Sequence, residues 1–123
     1  MLRLATLLFL SMASTAFAQT NRTELKRDDL TGTNMEIIIS VLEVPPGSRI
    51  EQHTHPGEEA VYVLDGATLQ FPDGKELSRP SGQAGINVRD VPHAGYKVVG
   101  DKPLKLLTVH IVDKGKPMTV PAK

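Results

Sequence analysis

Glycine and proline break this chain at short intervals, and the segments between the breaks are rich in Val, Ile, Leu and Thr, so none is long enough for a useful helix. Met35 to Val44 holds Ile37-Ile38-Ile39 and Val41-Leu42 and stops at Pro45-Pro46-Gly47, as suits a strand buried on both faces. Arg49 to His55 runs up to the turn Pro56-Gly57, and Ala60 to Leu64, a run of strong β-propensity, ends at Asp65-Gly66. Thr68 to Phe71 and Lys75 to Leu77 flank Pro72-Asp73-Gly74, the signature of a hairpin turn. Ala84 to Arg89, His93 to Val99 and Leu104 to Val112 complete the set of strands. Short strands at regular spacing predict an all-β sandwich or barrel of one domain.

The two ends read differently. Residues 1–18 carry one basic residue, Arg3, an apolar stretch from Leu4 to Leu10, and small residues ending in Ala16-Phe17-Ala18, the order of a secretory signal peptide. The apolar stretch falls well short of the ~20 residues of a spanning helix, so the expectation is cleavage after Ala18, export to the periplasm or medium, and no membrane span afterwards. Residues 19–34 and 113–123 lack periodicity and read as an N-terminal arm and a C-terminal tail that cross the surface or dock on a neighbour. Residues 19–123 retain all 14 acidic side chains and 13 of the 14 basic ones, a net charge of −1. A near-neutral, mixed-sign surface offers no footprint for nucleic acid. Cysteine is absent, so stability has to come from packing, a bound ion or a second subunit. The double-sided apolar run of Met35 to Val44 favours a homodimer, because a lone barrel buries only one face of a strand.

Chemistry concentrates in His53-Thr54-His55-Pro56-Gly57-Glu58-Glu59. Residues two apart on a strand share a face, so His53 and His55 can point together, and the Pro56-Gly57 turn brings Glu59 back opposite them. Two imidazoles and a carboxylate suit one divalent ion of Mn, Fe, Zn, Cu or Ni and leave coordination positions open. A His-x-His pair standing alone would be read as a polar surface face or a hydrogen-bonded core feature.

It does not stand alone. Gly47, five residues, His53, one residue, His55, three residues, Glu59, six residues and Gly66 together resemble the first motif of the cupin superfamily. Gly82 and His93, eleven positions on, resemble the second motif. This chain has Val88-Arg89-Asp90-Val91-Pro92 where that motif commonly has a Pro-x-Gly turn, and Lys97 where it commonly has Asn. The resemblance implies a single cupin barrel (a double-stranded β-helix, or jelly roll) over residues 35–112, with one divalent metal ion held by His53, His55, Glu59 and His93. Three neutral imidazoles and one carboxylate would leave a divalent site with a formal charge of +1, complementary to an anionic or enolisable oxygen ligand. Two functions stay open: a metal-dependent enzyme of dioxygenase, isomerase or lyase type acting on a small oxygen-bearing molecule, or a non-catalytic module that holds metal or a metabolite. Germin-like oxalate or superoxide chemistry is a weaker third, because germins are longer chains.

Among the remaining polar residues, His110 shares strand parity with Leu106 and Thr108 and reads as a cross-strand polar residue before a cavity residue. Glu51 shares parity with His53 and His55 and could orient a ligand. Glu58 should face away from Glu59, and Tyr62 and Tyr96 read as packing residues. No nucleophile elbow or phosphate-binding glycine loop is present.

Overall fold

Residues 19–123 are described by the structure, a computed structural model, and residues 1–18, read from the sequence as a signal peptide, lie outside them. Every regular element among the described residues is a strand: β1 Asn21–Asp29, β2 Met35–Val44, β3 Arg49–Ile50, β4 His53–Thr54, β5 Gly57–Asp65, β6 Ala67–Gln70, β7 Glu76–Arg79, β8 Ala84–Asn87, β9 Tyr96–Val99, β10 Leu104–Asp113 and β11 Val120–Pro121. All pairings are antiparallel. They form a five-stranded sheet ordered β1-β2-β10-β5-β8, a four-stranded sheet ordered β3-β9-β6-β7, and the short pair β11-β4.

Alternation decides which side chains enter the barrel. Along β10 the buried positions are Leu104, Leu106, Thr108, His110 and Val112, and along β5 Gly57, Glu59, Val61 and Val63. Apolar members of these rows meet Leu69, Tyr96 and Val98 of the facing sheet in one core. Toward the other end the inner rows turn polar. Ser40, Thr108 and Val61 lie side by side across β2, β10 and β5, and the next row runs Ile38, His110, Glu59 and Asn87 onto β8. The barrel therefore has an apolar end that supplies the burial energy and a polar end that holds the histidines.

Two segments behave unlike the sequence reading. Arg49 to His55 is two short strands, β3 and β4, separated at Glu51-Gln52. Most of the segment read as an N-terminal arm is a nine-residue strand paired to β2 within the same chain. It shows no apolar alternation because it is an edge strand, nearly all of it exposed, and its charges guard that edge against further pairing. The tail also returns to the barrel, where Val120 and Pro121 pair with Thr54 and His53.

Gly57 has a steric reason to be glycine. A Cβ there would drive into the backbone carbonyl of Ile111 on β10, so only glycine lets β5 begin at that approach.

Candidate metal centre

Four side chains named from the sequence, His53, His55, Glu59 and His93, come together at the polar end of the barrel. His93 sits in an isolated bridge opposite His53, with reciprocal backbone hydrogen bonds of 3.0 and 3.1 Å. The remodelled turn before it is held from two sides. Asp90 N–H donates to the His55 carbonyl at 3.1 Å, and the Arg89 guanidinium forks onto both Asp113 oxygens at 3.0 Å. Asp90 takes a positive φ of 58°, so this turn bends without a glycine, and Ala94, just after His93, takes 64°.

The imidazoles are prepared to coordinate. His53 Nδ1 lies 2.7 Å from the Glu51 carbonyl, His55 Nδ1 2.6 Å from the Met118 carbonyl and His93 Nδ1 3.0 Å from the Val91 carbonyl. A carbonyl can only accept, so each Nδ1 carries the proton and each neutral ring presents a bare Nε2. His55 Nε2 and His93 Nε2 are 3.2 Å apart, two lone pairs facing each other with no proton between them while both rings are neutral. A cation relieves that contact, and nitrogens about 2.0 to 2.1 Å from one ion sit roughly 3 Å from each other. The donor set fits a divalent metal ion.

Glu59 supplies the negative charge. Its Oε2 is 3.7 Å from His55 Nε2, its Oε1 3.7 Å from His93 Nε2, and Asn87 Nδ2 donates to Oε1 at 2.6 Å. Burial pushes the Glu59 carboxyl up, but His110 and the Asn87 amide outweigh it and hold the group well below the usual carboxylate range. Burial lowers His53 as well, with its imidazole neighbours adding to the effect against the Glu51 carbonyl, which favours the neutral, coordinating form.

His110 is on the inner face, as its parity with Leu106 and Thr108 requires, and it is the cross-strand neighbour of Glu59. It belongs to the cluster more closely than the sequence suggested. Fully buried, it stands with its Nε2 2.8 Å from Glu59 Oε2 and its ring centroid 4.5 Å from that of His55. Neither of its nitrogens makes a well-directed hydrogen bond, although Nε2 lies close to Glu59. Burial lowers its pKa against the pull of Glu59. Two overlapping trios could therefore hold an ion: His53, His55 and His93, or deeper in the barrel His55, Glu59 and His110.

Other side chains distribute plainly. The Glu51 side chain is exposed beside Arg49 at 3.8 Å, and only its carbonyl serves His53. Glu58 and Tyr62 face outward, whereas Tyr96 is buried. Sequence reasoning missed Asn87, the Met118 carbonyl, and two arginines of the adjoining cavity, Arg22 and Arg79. No spacing rule ties Met118 to a histidine 63 residues earlier. That cavity, of about 350 Å³, opens against His53, His93 and Glu59 and leaves His55 and His110 behind them.

The sequence matches the family model of the Cupin domain over residues 40–110, more than half of the chain. The chain belongs to the cupin family. Solved cupin-like structures agree on the fold. A conserved protein with a double-stranded β-helix domain from Klebsiella pneumoniae is 20% identical, with 85% of each chain covered and a TM-score of 0.62. The polyketide cyclase RemF from Streptomyces resistomycificus is 26% identical over 85% of this chain and 72% of its own, with a TM-score of 0.59. The DMSP lyase DddQ from Ruegeria pomeroyi is 22% identical over 70% of this chain and 43% of its own, with a TM-score of 0.56. No curated protein matches the sequence.

Proposed function

We propose that this cupin is exported, binds one divalent metal ion through His53, His55, Glu59 and His93, and uses it as an enzyme on a small oxygen-bearing molecule. The observation that carries the reading is the convergence of three bare Nε2 atoms, each fixed by a backbone carbonyl, beside an ionised Glu59 at the wall of a cavity. A structural ion is more often closed off by its ligands, whereas here His53, Glu59 and His93 border open space. A divalent ion at this place supplies Lewis acidity toward an oxygen of the ligand. The chain's own residues orient that ligand and shield it with apolar walls. Dioxygenase, isomerase and lyase chemistry all remain open to such a centre. Export rests on the Arg3, Leu4 to Leu10 and Ala16-Phe17-Ala18 pattern.

The deciding measurement is metal analysis of protein isolated from its native compartment without chelator. About one ion per chain is expected in the wild type and almost none in His53→Ala or Glu59→Ala, and unchanged content in both variants would remove the proposal. Chelation provides a second measure. An ion that binds only the folded chain, present a hundredfold above its Kd, adds ~2.7 kcal/mol. Its removal should lower the Tm by roughly 10 °C in a domain of this size. Screens run with and without air separate oxygenases from lyases and cyclases, and ligand binding without turnover across every metal would favour the non-catalytic module. Mass analysis of the exported protein should find Gln19 as its first residue.

A further inference from the structure

The cavity beside the metal centre carries an imbalance of charge that the centre does not use. Arg22, Arg49 and Arg79 all line it, against two carboxylates, Glu59 and Glu51. Glu59 is already engaged by His110 and Asn87, and Glu51 stands out in solvent near Arg49. Among the described residues, Arg22 and Arg79 have no carboxylate within ion-pairing distance. Arg22 reaches in from the edge strand β1 and spends one N–H on the Thr108 hydroxyl at 2.8 Å, while β7 ends on Arg79, whose Nε is buried with no hydrogen-bond partner. An orphaned guanidinium N–H inside a folded chain is costly, because burial removes water and nothing replaces it. A fork of this kind is geometrically matched to a carboxylate, which accepts two parallel hydrogen bonds. Leu42, Ile50, Val61 and Leu106 give the wall an apolar stretch, with Thr20, Gln52, Asn87 and Thr119 as further polar members, and the volume of about 350 Å³ lies at the small end of ligand sites.

Building on the metal-site reading, we infer that the substrate is a small organic carboxylate, and that Arg79 and Arg22 bind its carboxylate while a second oxygen-bearing group faces the histidines. Arg79 supplies the orphaned donor, and Arg22, held by Thr108, adds charge from the opposite sheet. The apolar walls take the carbon skeleton between them. The two arginines are substrate-positioning residues, outside the ligand set of the ion.

The test uses the mature, metal-loaded protein and follows binding of malonate, succinate and glutarate, each beside its neutral diamide, by calorimetry, with metal content measured on the same samples. At least one dicarboxylate should bind tenfold or more tighter than its diamide. Arg79→Gln and Arg22→Gln should each remove most of that preference with metal content unchanged, and Arg79→Lys should restore part of it. Equal affinity for acids and diamides in metal-replete wild type would overturn the inference, as would a preference that survives both glutamine variants. Equal affinity in wild type overturns the inference without any variant, and if one glutamine variant fails to fold the other still tells the arginines from attraction to the ion. A protein that holds no metal yet prefers the dicarboxylates through Arg79 would refute the metal reading and support this one.

Discussion

At the scale of single residues the centre depends on where protons sit. The Nδ1 protons of His53, His55 and His93 are fixed by carbonyls, and Glu59 lies between His110 on β10 and Asn87 on β8 in one cross-strand row. Groups that hold a ligand in orientation commonly account for 10- to 100-fold in metal affinity. Asn87→Ala should therefore weaken metal binding by about that factor while leaving the fold intact, as measured by competition with a chromophoric chelator. His93 and His110 can be separated in the same assay. With the ion on His53, His55, Glu59 and His93, His93→Ala loses tight binding and His110→Asn retains about one ion per chain. The reverse pattern would move the ion into the deeper trio. The first-motif residues were legible because their spacing on neighbouring strands is local. His110 was only half legible: parity gave its face, but its place beside Glu59 depends on a register between strands about 50 residues apart in sequence.

Elements carried the pattern unevenly. Strands that contribute to the core announced themselves through apolar, β-prone runs between turn residues, and β2 has the bounds its sequence suggested, although only one of its faces is fully buried. β1 and β11 did not, because an exposed edge strand and a two-residue pairing need no apolar face. Yet both reach the site. β1 delivers Arg22, and the tail carries the Met118 carbonyl to His55 and is fastened by Ala122 N–H donating to the Gln52 carbonyl at 3.0 Å. Deleting residues 117–123 should thus leave the barrel folded by circular dichroism but weaken metal binding by about 10- to 100-fold, since the proton on His55 loses its acceptor. An undiminished affinity would mean that the tail only covers the surface. The turn before His93 has its own dependence on pH. Hydrogen bonds from Arg89 and Lys116 hold the Asp113 carboxyl well below its ordinary value. Its contribution is present above the unfolded value of about 3.9 and is lost as pH falls below it. Asp113→Asn should remove that part of the acid sensitivity in thermal melts and leave the part that belongs to Glu59 and Glu24, whose carboxyls are also held low.

For the molecule as a whole, the outer face of the five-stranded sheet poses the remaining physical problem. Its register lines up Val41, Leu107, Tyr62 and Ala84 in one row and Ile39, Val109, Ala60 and Ile86 in the next. Across these four strands neither row contains a charge, and only on β1 does Lys26 continue the second; Ile86 is 71% exposed and Tyr62 46%. The edges of the sheet are unequal. β1 is lined with Glu24, Lys26, Arg27, Asp28 and Asp29, whereas β8 reads Ala84-Gly85-Ile86-Asn87 and carries no charge. An apolar face of this extent beside an unguarded edge is costly in water and suits a second copy of itself, because two sheet faces can pack through interdigitating rows. The tail cannot serve as the cover, since it is occupied at β4. A homodimer built on β8 and the adjoining outer rows is the expected state. Light scattering at micromolar concentration should return twice the chain mass, and Ile86→Glu, which places a carboxylate in the middle of the joined faces, should return the chain mass with metal content unchanged. A wild-type protein that stays monomeric through the millimolar range would show that this face is tolerated bare and would leave the site complete within one chain.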